Sequence, residues 1–212
     1  EFPWKNGDKL DLQKVESLME AQGGNLNQYK VSKQADVLML FYLFSADELK
    51  QLLERTGYRY SRDLIPKNII YYTPQTAHSS TLSRVTHAWV LSRLDRKNAP
   101  IMPNEQDSKK AYRKGEKKTD LPHGWEVFLV APSSDFCDIQ GGTTHEGIHM
   151  GAMAGTLDII QRCYTGIVIR DDVLWLAPRL PDDLISLSFN LRYRKQSWRI
   201  EITHSTASVC AL

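Results

Sequence analysis

A change of period at Tyr164 constrains the fold of this 212-residue chain more than any single residue does. Ahead of it, apolar side chains recur at helical spacing, as in Leu12, Val15, Leu18 and Met19. Past it, Ile185, Leu187, Phe189, Leu191 and Tyr193 alternate with Ser186, Ser188, Asn190, Arg192 and Arg194. Trp198, Ile200 and Ile202 likewise alternate with Arg199, Glu201 and Thr203. Side chains three or four apart share one face of a helix, and those two apart share one face of a strand. The pattern predicts a mainly α protein with a C-terminal β unit. Helices should fill 1–164, and antiparallel strands 165–212, with short strands at 166–170 and 173–176 and a hairpin turning around Lys195 and Gln196.

Punctuation within the helical part divides it further. A helix over 10–21 should stop at Gly23 and Gly24. A second, over 30–44, is apolar nearly all round beyond Asp36 and should be buried. Ser45-Ala46-Asp47-Glu48 spells a capping box that opens a third, ending near Gly57. Residues 58–79, with Pro66 and Pro74, read as irregular. A fourth helix should begin near Ser80 and place Leu82, Val85, Thr86, Trp89 and Val90 on one face. Helix returns at 125–130, pauses at Pro132 and resumes after Gly142.

Residues 97–124 hold seven basic and four acidic side chains, so the small positive net charge of +2 resides in one polar segment. Without aromatic platforms or a base-reading motif, that segment reads as a solvated loop, and no nucleic-acid partner is expected. The apolar run 37–44 is too short to cross a bilayer. No charged-then-apolar leader opens the chain, and Cys137, Cys163 and Cys210 are odd in number and far apart. These features predict reduced thiols, no membrane association and a cytoplasmic protein.

The densest chemistry lies in GGTTHEGIHMGAMAG (141–155). Gly147, Gly151 and Gly155 repeat at four-residue spacing, each costing about 1 kcal/mol inside a helix. Such a stripe is expected where a second backbone comes close. His145-Glu146-Gly147-Ile148-His149 also matches H-E-x-x-H, which presents two imidazoles to zinc on one helical face. Against that reading, Gly147 would sit inside the zinc helix, and Ala152 and Gly155 stand where the extended motif needs Gly and His. A capped structural helix is the plain alternative. An anion or sugar site, built from free N–H groups, the helix dipole and imidazoles, is the third.

Two further helix starts carry polar clusters. Lys33-Gln34-Ala35-Asp36 precedes the buried stretch, where unpaired polar groups are costly; sugar hydroxyls or a local Lys33–Asp36 pair would satisfy them. His78-Ser79-Ser80-Thr81-Leu82-Ser83 offers hydroxyls that either cap a helix or cradle phosphate.

Four blocks in order, KQADVLMLFYLF (33–44), YYTPQTAHSSTLS (71–83), DIQGGTTHEGIHMGAMAGT (138–156) and LWLAPRLP (174–181), resemble glycoside hydrolase family 65. That family includes maltose, trehalose, nigerose and kojibiose phosphorylases. The resemblance covers most of the chain and implies part of an (α/α) barrel catalytic domain followed by a small antiparallel β-sandwich. It implies that Lys33 and Gln34 hold a glucosyl unit. Ser80, Thr81 and His149 would bind inorganic phosphate, with His78 lining the same loop. Thr81 stands where most phosphorylases carry Ser.

By this resemblance phosphate is a co-substrate and no other cofactor is needed. It would attack the anomeric carbon of an α-glucosyl disaccharide with inversion, taking the place of the water in an inverting hydrolase. The product would be β-glucose 1-phosphate. The family's general-acid Glu lies upstream of the K-Q-A-D block, and Glu1, Glu16 and Glu20 do not sit in its motif. The chain is therefore expected to be a C-terminal fragment without a catalytic residue of its own, inactive alone. It should need an N-terminal region or partner chain, or self-associate. Relative to the family, 99–125 is an insertion into a continuous helix. Family hydrolases use a carboxylate base, for which Glu146 is the nearby candidate. A zinc peptidase and a non-catalytic binding fragment are the readings outside sugar cleavage.

Overall fold

The computed structural model describes residues 19–24, 30–61, 63–78, 80–94, 121–139, 145 and 147–212. Most of the predicted 97–124 loop and the Gly-Gly-Thr-Thr turn lie outside these residues. The chain divides into two compact units, Glu1–Ala152 and Met153–Leu212.

The first unit is helical. The helix expected to end at Gly23 does so: Gly23 has φ +72°, and the N–H groups of Gly23 and Gly24 donate to the carbonyls of Glu20 and Met19. Glycine takes this left-handed turn without a Cβ penalty. Helix α1 (Asp36–Leu43) begins later than the predicted 30. The reason is that Ser32 is committed elsewhere. It forms a parallel bridge with Thr76, its N–H donating to Gln75 and its carbonyl accepting from Ala77, each at 2.9 Å.

Helix α2 (Ala46–Arg55) opens on the predicted capping box, with Glu48 N–H donating to Ser45 Oγ and Ser45 N–H to Glu48 Oε2. Helix α3 (Leu64–Tyr72) occupies a stretch expected to be irregular. Pro66 is no obstacle there, because it sits in the first turn, where backbone N–H groups have no intrahelical acceptor.

Helix α4 (Thr81–Leu94) follows, and it departs from the one-sided burial expected of it. Val85, Trp89 and Val90 are buried, but so are Ser83, His87, Ala88, Leu91 and Ser92. The helix is surrounded, packing against α1, α3 and helix α5 (Gly124–Val130), which a 3₁₀ turn, Ala131–Ser133, prolongs. Trp89 meets Tyr42 edge-on at 5.2 Å. The polar groups of α4 turn back on their own backbone: Thr86 Oγ1 donates to Leu82 O at 3.2 Å, and His87 Nδ1 meets Ser83 O at 2.9 Å. Each fully buried Val or Leu in this core stabilises the fold by roughly 1.5–3 kcal/mol.

Most of helix α6 (Met150–Asp158) belongs to the second unit and runs into a π-helical turn, Ile159–Tyr164. The segment 176–180 then returns along this end. Ala177 N–H donates to Gly166 O and Arg179 N–H to Tyr164 O. Strands β1 (Val168–Arg170) and β2 (Val173–Trp175) form one antiparallel sheet, and β3 (Ser186–Tyr193), β4 (Gln196–Thr203) and β5 (Ala207–Ala211) another. The hairpin turns on Arg194 and Lys195, both at positive φ, as a two-residue loop matched to strand twist requires. Tyr193 Oη donates to Asp172 O at 2.5 Å and ties the sheets together. Strand β5 had no clear signal, and all of its residues are exposed.

Among the described residues the three cysteines are free, and no helix is long and apolar enough to span a membrane. Leu43 and Phe44 are exposed at 58% and 38%, so part of the apolar run expected to be buried faces outward.

At two of the three stripe glycines, Gly147 and Gly151, the expected close backbone approach is not found. Gly147 has φ +96° and lies before α6, and a Cβ on Gly151 would meet open space. A Cβ on Gly124 would instead fall 2.3 Å from Ser92 N, and one on Gly166 (φ +63°) 2.1 Å from Ala177 O. Gly124→Ala and Gly166→Ala should therefore each lower stability by about 1–3 kcal/mol. Gly151→Ala should be neutral or stabilise by up to about 1 kcal/mol. Urea denaturation midpoints of the three variants check the contrast.

Candidate functional site

The backbone bridge between Ser32 and Thr76 joins two of the polar blocks. Residues that follow each partner then meet. Gln34, Ala35, Asp36 and Met39 from one side, with Ser83, Thr86 and His87 from α4, line one shallow open depression. Gln34 Nε2 donates to Asp36 Oδ1 at 2.9 Å, which orients the amide. Lys33 is exposed, and among the described residues it forms no ion pair with Asp36. Its ammonium is therefore not consumed locally.

His78 introduces the second cluster from a left-handed backbone, φ +55°, which a non-glycine residue adopts only when its surroundings impose it. Its Nδ1 lies 3.0 Å from Ser83 Oγ, and its ring stands edge-on to that of His87 with centroids 4.4 Å apart. Ser83 thus engages both histidines, through its hydroxyl and its carbonyl. The carbonyl can only accept, so His87 carries its proton on Nδ1. Its buried Nε2 is then a bare acceptor without a partner.

Ser80 and Thr81 stand at the start of α4, half-buried and buried respectively. Ser80 O accepts from Ser83 N–H at 3.1 Å. Among the described residues neither side-chain hydroxyl is engaged in a hydrogen bond, so both remain available to a ligand.

His149 forms a third cluster with a residue the sequence did not single out. Its Nδ1 lies 2.8 Å from Asp135 Oδ1, and its backbone N–H donates to Asp135 Oδ2 at 2.7 Å. The Asp135 side chain is only 1% exposed, while that of His149 is 37% exposed. Asp135 lies fourteen positions upstream, beyond any local spacing signal. His87 was legible in principle, being one helical turn from Ser83.

The H-E-x-x-H reading needs His145 and His149 one turn apart on a single helix. Gly147 at φ +96° interrupts the backbone between them, and α6 begins only at Met150. Among the described residues the one-turn helical spacing that zinc would need is not formed. Glu146, the candidate hydrolytic base, lies outside the described residues.

Burial lowers the pKa of His78 to about 3 and that of His87 to about 4, with the nearby Arg84 adding to both and His87 adding to the shift of His78. Both rings are neutral in the fold and take up protons on unfolding below their ordinary value of 6.5. Stability should accordingly be full above pH 6.5 and fall as pH drops toward 4. His87, fully buried, contributes a slope of at most about 1.4 kcal/mol per pH unit; half-buried His78 contributes less. His87→Gln should flatten the slope, which denaturant melts between pH 4 and 7 measure.

With this geometry in view, similarity to known proteins is informative. Residues 1–110 match the glycosyl hydrolase family 65 central catalytic domain, and 167–212 match the family's C-terminal domain. An uncharacterized glycosyl hydrolase of Mycobacterium tuberculosis is 42% identical over 95% of this chain and 13% of its own length. Trehalose 6-phosphate phosphorylase of Lactococcus lactis is 32% identical over 87% of this chain and 21% of its own length. A solved structure provisionally named kojibiose phosphorylase, from human microbiome, superposes with a TM-score of 0.55 at 22% identity, covering 86% of this chain and 20% of that one. The chain thus spans between about an eighth and a fifth of the length of these relatives. Two domain matches in order, spanning the helical and the strand regions, place the chain in glycosyl hydrolase family 65.

Proposed function

We propose that the chain forms the sugar- and phosphate-binding portion of a phosphorylase for α-glucosyl disaccharides. The observation that carries the reading is the Ser32–Thr76 bridge, which draws the Lys33–Gln34 block and the hydroxyl-bearing start of α4 to one locality. A glucosyl unit needs several directed hydrogen bonds, and the oriented Gln34 amide, the Asp36 carboxylate and an unengaged ammonium at Lys33 provide them. Inorganic phosphate needs donors and positive potential. The Ser80 and Thr81 hydroxyls at the start of a fourteen-residue helix supply both, with His149 and His78 as the imidazoles of the site. Neutral His78 would act there as a hydrogen-bond partner rather than a charge.

Chemistry follows from placing these two ligands side by side. Phosphate attacks the anomeric carbon from the face opposite the leaving sugar, the glycosidic bond breaks, and β-glucose 1-phosphate forms. A general acid must protonate the leaving oxygen, and this sequence nominates none, so phosphorolysis would need an acid supplied from outside these 212 residues. Relatives are named for trehalose, trehalose 6-phosphate, kojibiose and maltose phosphorolysis, and this proposal takes the shared α-glucosyl class rather than one linkage.

Two measurements test it. Inorganic phosphate should bind the chain, and Ser80→Ala or Thr81→Val should each weaken that binding about tenfold, the loss of one charge-assisted hydrogen bond; unchanged affinity in both variants refutes the cradle. Supplied with an acid-bearing N-terminal region, the chain should release β-glucose 1-phosphate from an α-glucosyl disaccharide only when phosphate is present. Free glucose without phosphate would make it a hydrolase instead.

A further inference from the structure

Strand β5 is the outer strand of its sheet: it pairs with β4 on one side, and no other described segment pairs with it. The register decides which of its backbone groups are spent. Leu212 N–H donates to Ser197 O at 2.9 Å, and Thr203 N–H to Thr206 O at 2.8 Å. Thr206, Ser208, Cys210 and Leu212 therefore turn their N–H and C=O toward β4. In an antiparallel ladder the residues between them turn theirs away. Ala207, Val209 and Ala211 thus point backbone donors and acceptors out of the sheet, and every residue of the strand is exposed. Such an edge is commonly guarded by charge, proline or a bulge, because its open row of groups pairs with any matching strand. Here STASVCAL (205–212) holds neither charge nor proline, and the register runs through β5 without a bulge. The opposite edge differs. Tyr193, Leu191, Phe189 and Leu187 are spent on β4, so the outward positions of β3 include Arg192.

From this edge we infer that two copies of the chain join β5 to β5, antiparallel, about a two-fold axis at Val209. The inference is independent of the sugar and phosphate reading above. Ladder bonds form only where outward residues face outward residues. With Val209 opposite itself, Ala207 lies opposite Ala211 of the second copy, and all three outward residues are matched. Sliding the copies by two residues leaves one of them without a counterpart in the strand. A two-fold arrangement of this kind uses the same patch on both copies and closes on itself. Residues paired across strands share a face, so Ala207, Val209 and Ala211 lie on the side of Ile202, Ile200 and Trp198. The apolar face of one sheet then runs on into the next, and Val209, 46% exposed in the single copy, is covered by its counterpart. On the polar face Ser208 stands opposite Cys210 of the second copy, in a pair whose Cα atoms are about 4.5 Å apart. No like charges meet. One strand from each copy is a small contact beside the roughly 1,600 Å² of a standard interface, so association is weak and depends on concentration.

Sedimentation equilibrium of the chain between about 1 μM and 1 mM should show the mass rising from one copy toward two. A single-copy mass throughout overturns the inference. Val209→Pro deletes an outward N–H and no bond to β4, and Val209→Lys sets two ammonium groups opposite each other. Each should weaken dimerisation at least about tenfold and leave the circular dichroism spectrum unchanged. If Val209→Pro does not fold, Val209→Lys, a change at an exposed side chain, decides alone. Dimerisation undiminished there, as contact through any other surface would give, overturns the inference. The register has its own readout. Under mild oxidation Ser208→Cys should cross-link the introduced thiol to Cys210 of the second copy, since a Cα separation of about 4.5 Å lies within disulfide reach. Peptide mass spectrometry identifies the link. Cys210 joined to Cys210, or no link between copies through this strand, also overturns it.

Discussion

Helix α4 is enclosed on every side although it carries two threonines, two serines and a histidine among its buried residues. It tolerates this in part because the Thr86 hydroxyl and the Nδ1–H of His87 donate to carbonyls one turn back, which leaves only His87 Nε2 of that ring unmet. Had those groups pointed outward they would have demanded partners from α1 and α5, at a cost of about 1–3 kcal/mol for each one left unmet. The remaining architecture of the first unit is arranged around that helix. Its C-terminal end abuts α5 at Gly124, Trp89 in its middle meets Tyr42 of α1, and its N-terminal turn places the Ser83 hydroxyl beside His78. One helix thereby contributes both to the core and to the candidate site. A substitution deep within it, such as at His87, would be felt at both.

Sequence patterning was legible wherever the controlling interaction is local. The Ser45–Glu48 capping box, the glycine stop at Gly23, the β3–β4 hairpin and the switch of period all depend on residues within a few positions of each other. It misled where a distant partner decided the outcome. Residues 30–35 had helical composition, yet Ser32 is drawn into pairing with Thr76, far along the chain. Gly147 read as one of three helical glycines, yet its positive φ sets it outside α6. Pro66 read as a breaker because its place within the first turn of α3 could not be known beforehand.

The candidate site shows the same division. Lys33, Gln34, His78, Ser80, Thr81 and His149 were nominated from contiguous blocks. The structure brings the first two blocks into one neighbourhood through backbone pairing, while His149 belongs to a separate pair with Asp135. Asp135 carried no local signal, since a buried carboxylate is defined by distant surroundings, whereas His87 could be read only from its one-turn spacing to Ser83. Family membership explains why the nominated blocks recur in order. The physical contacts explain why an exposed lysine, an oriented amide and unspent hydroxyls stand where they do.

The abutment of Gly124 on Ser92 has an implication for the chain between them. Both ends of that excursion are already pinned by direct backbone packing, at a separation too small for any side chain. Doubling the number of residues threaded through such a closed gate adds only about 0.6 kcal/mol. Length changes in the chain joining Ser92 to Gly124 therefore need not ask the two helices to separate.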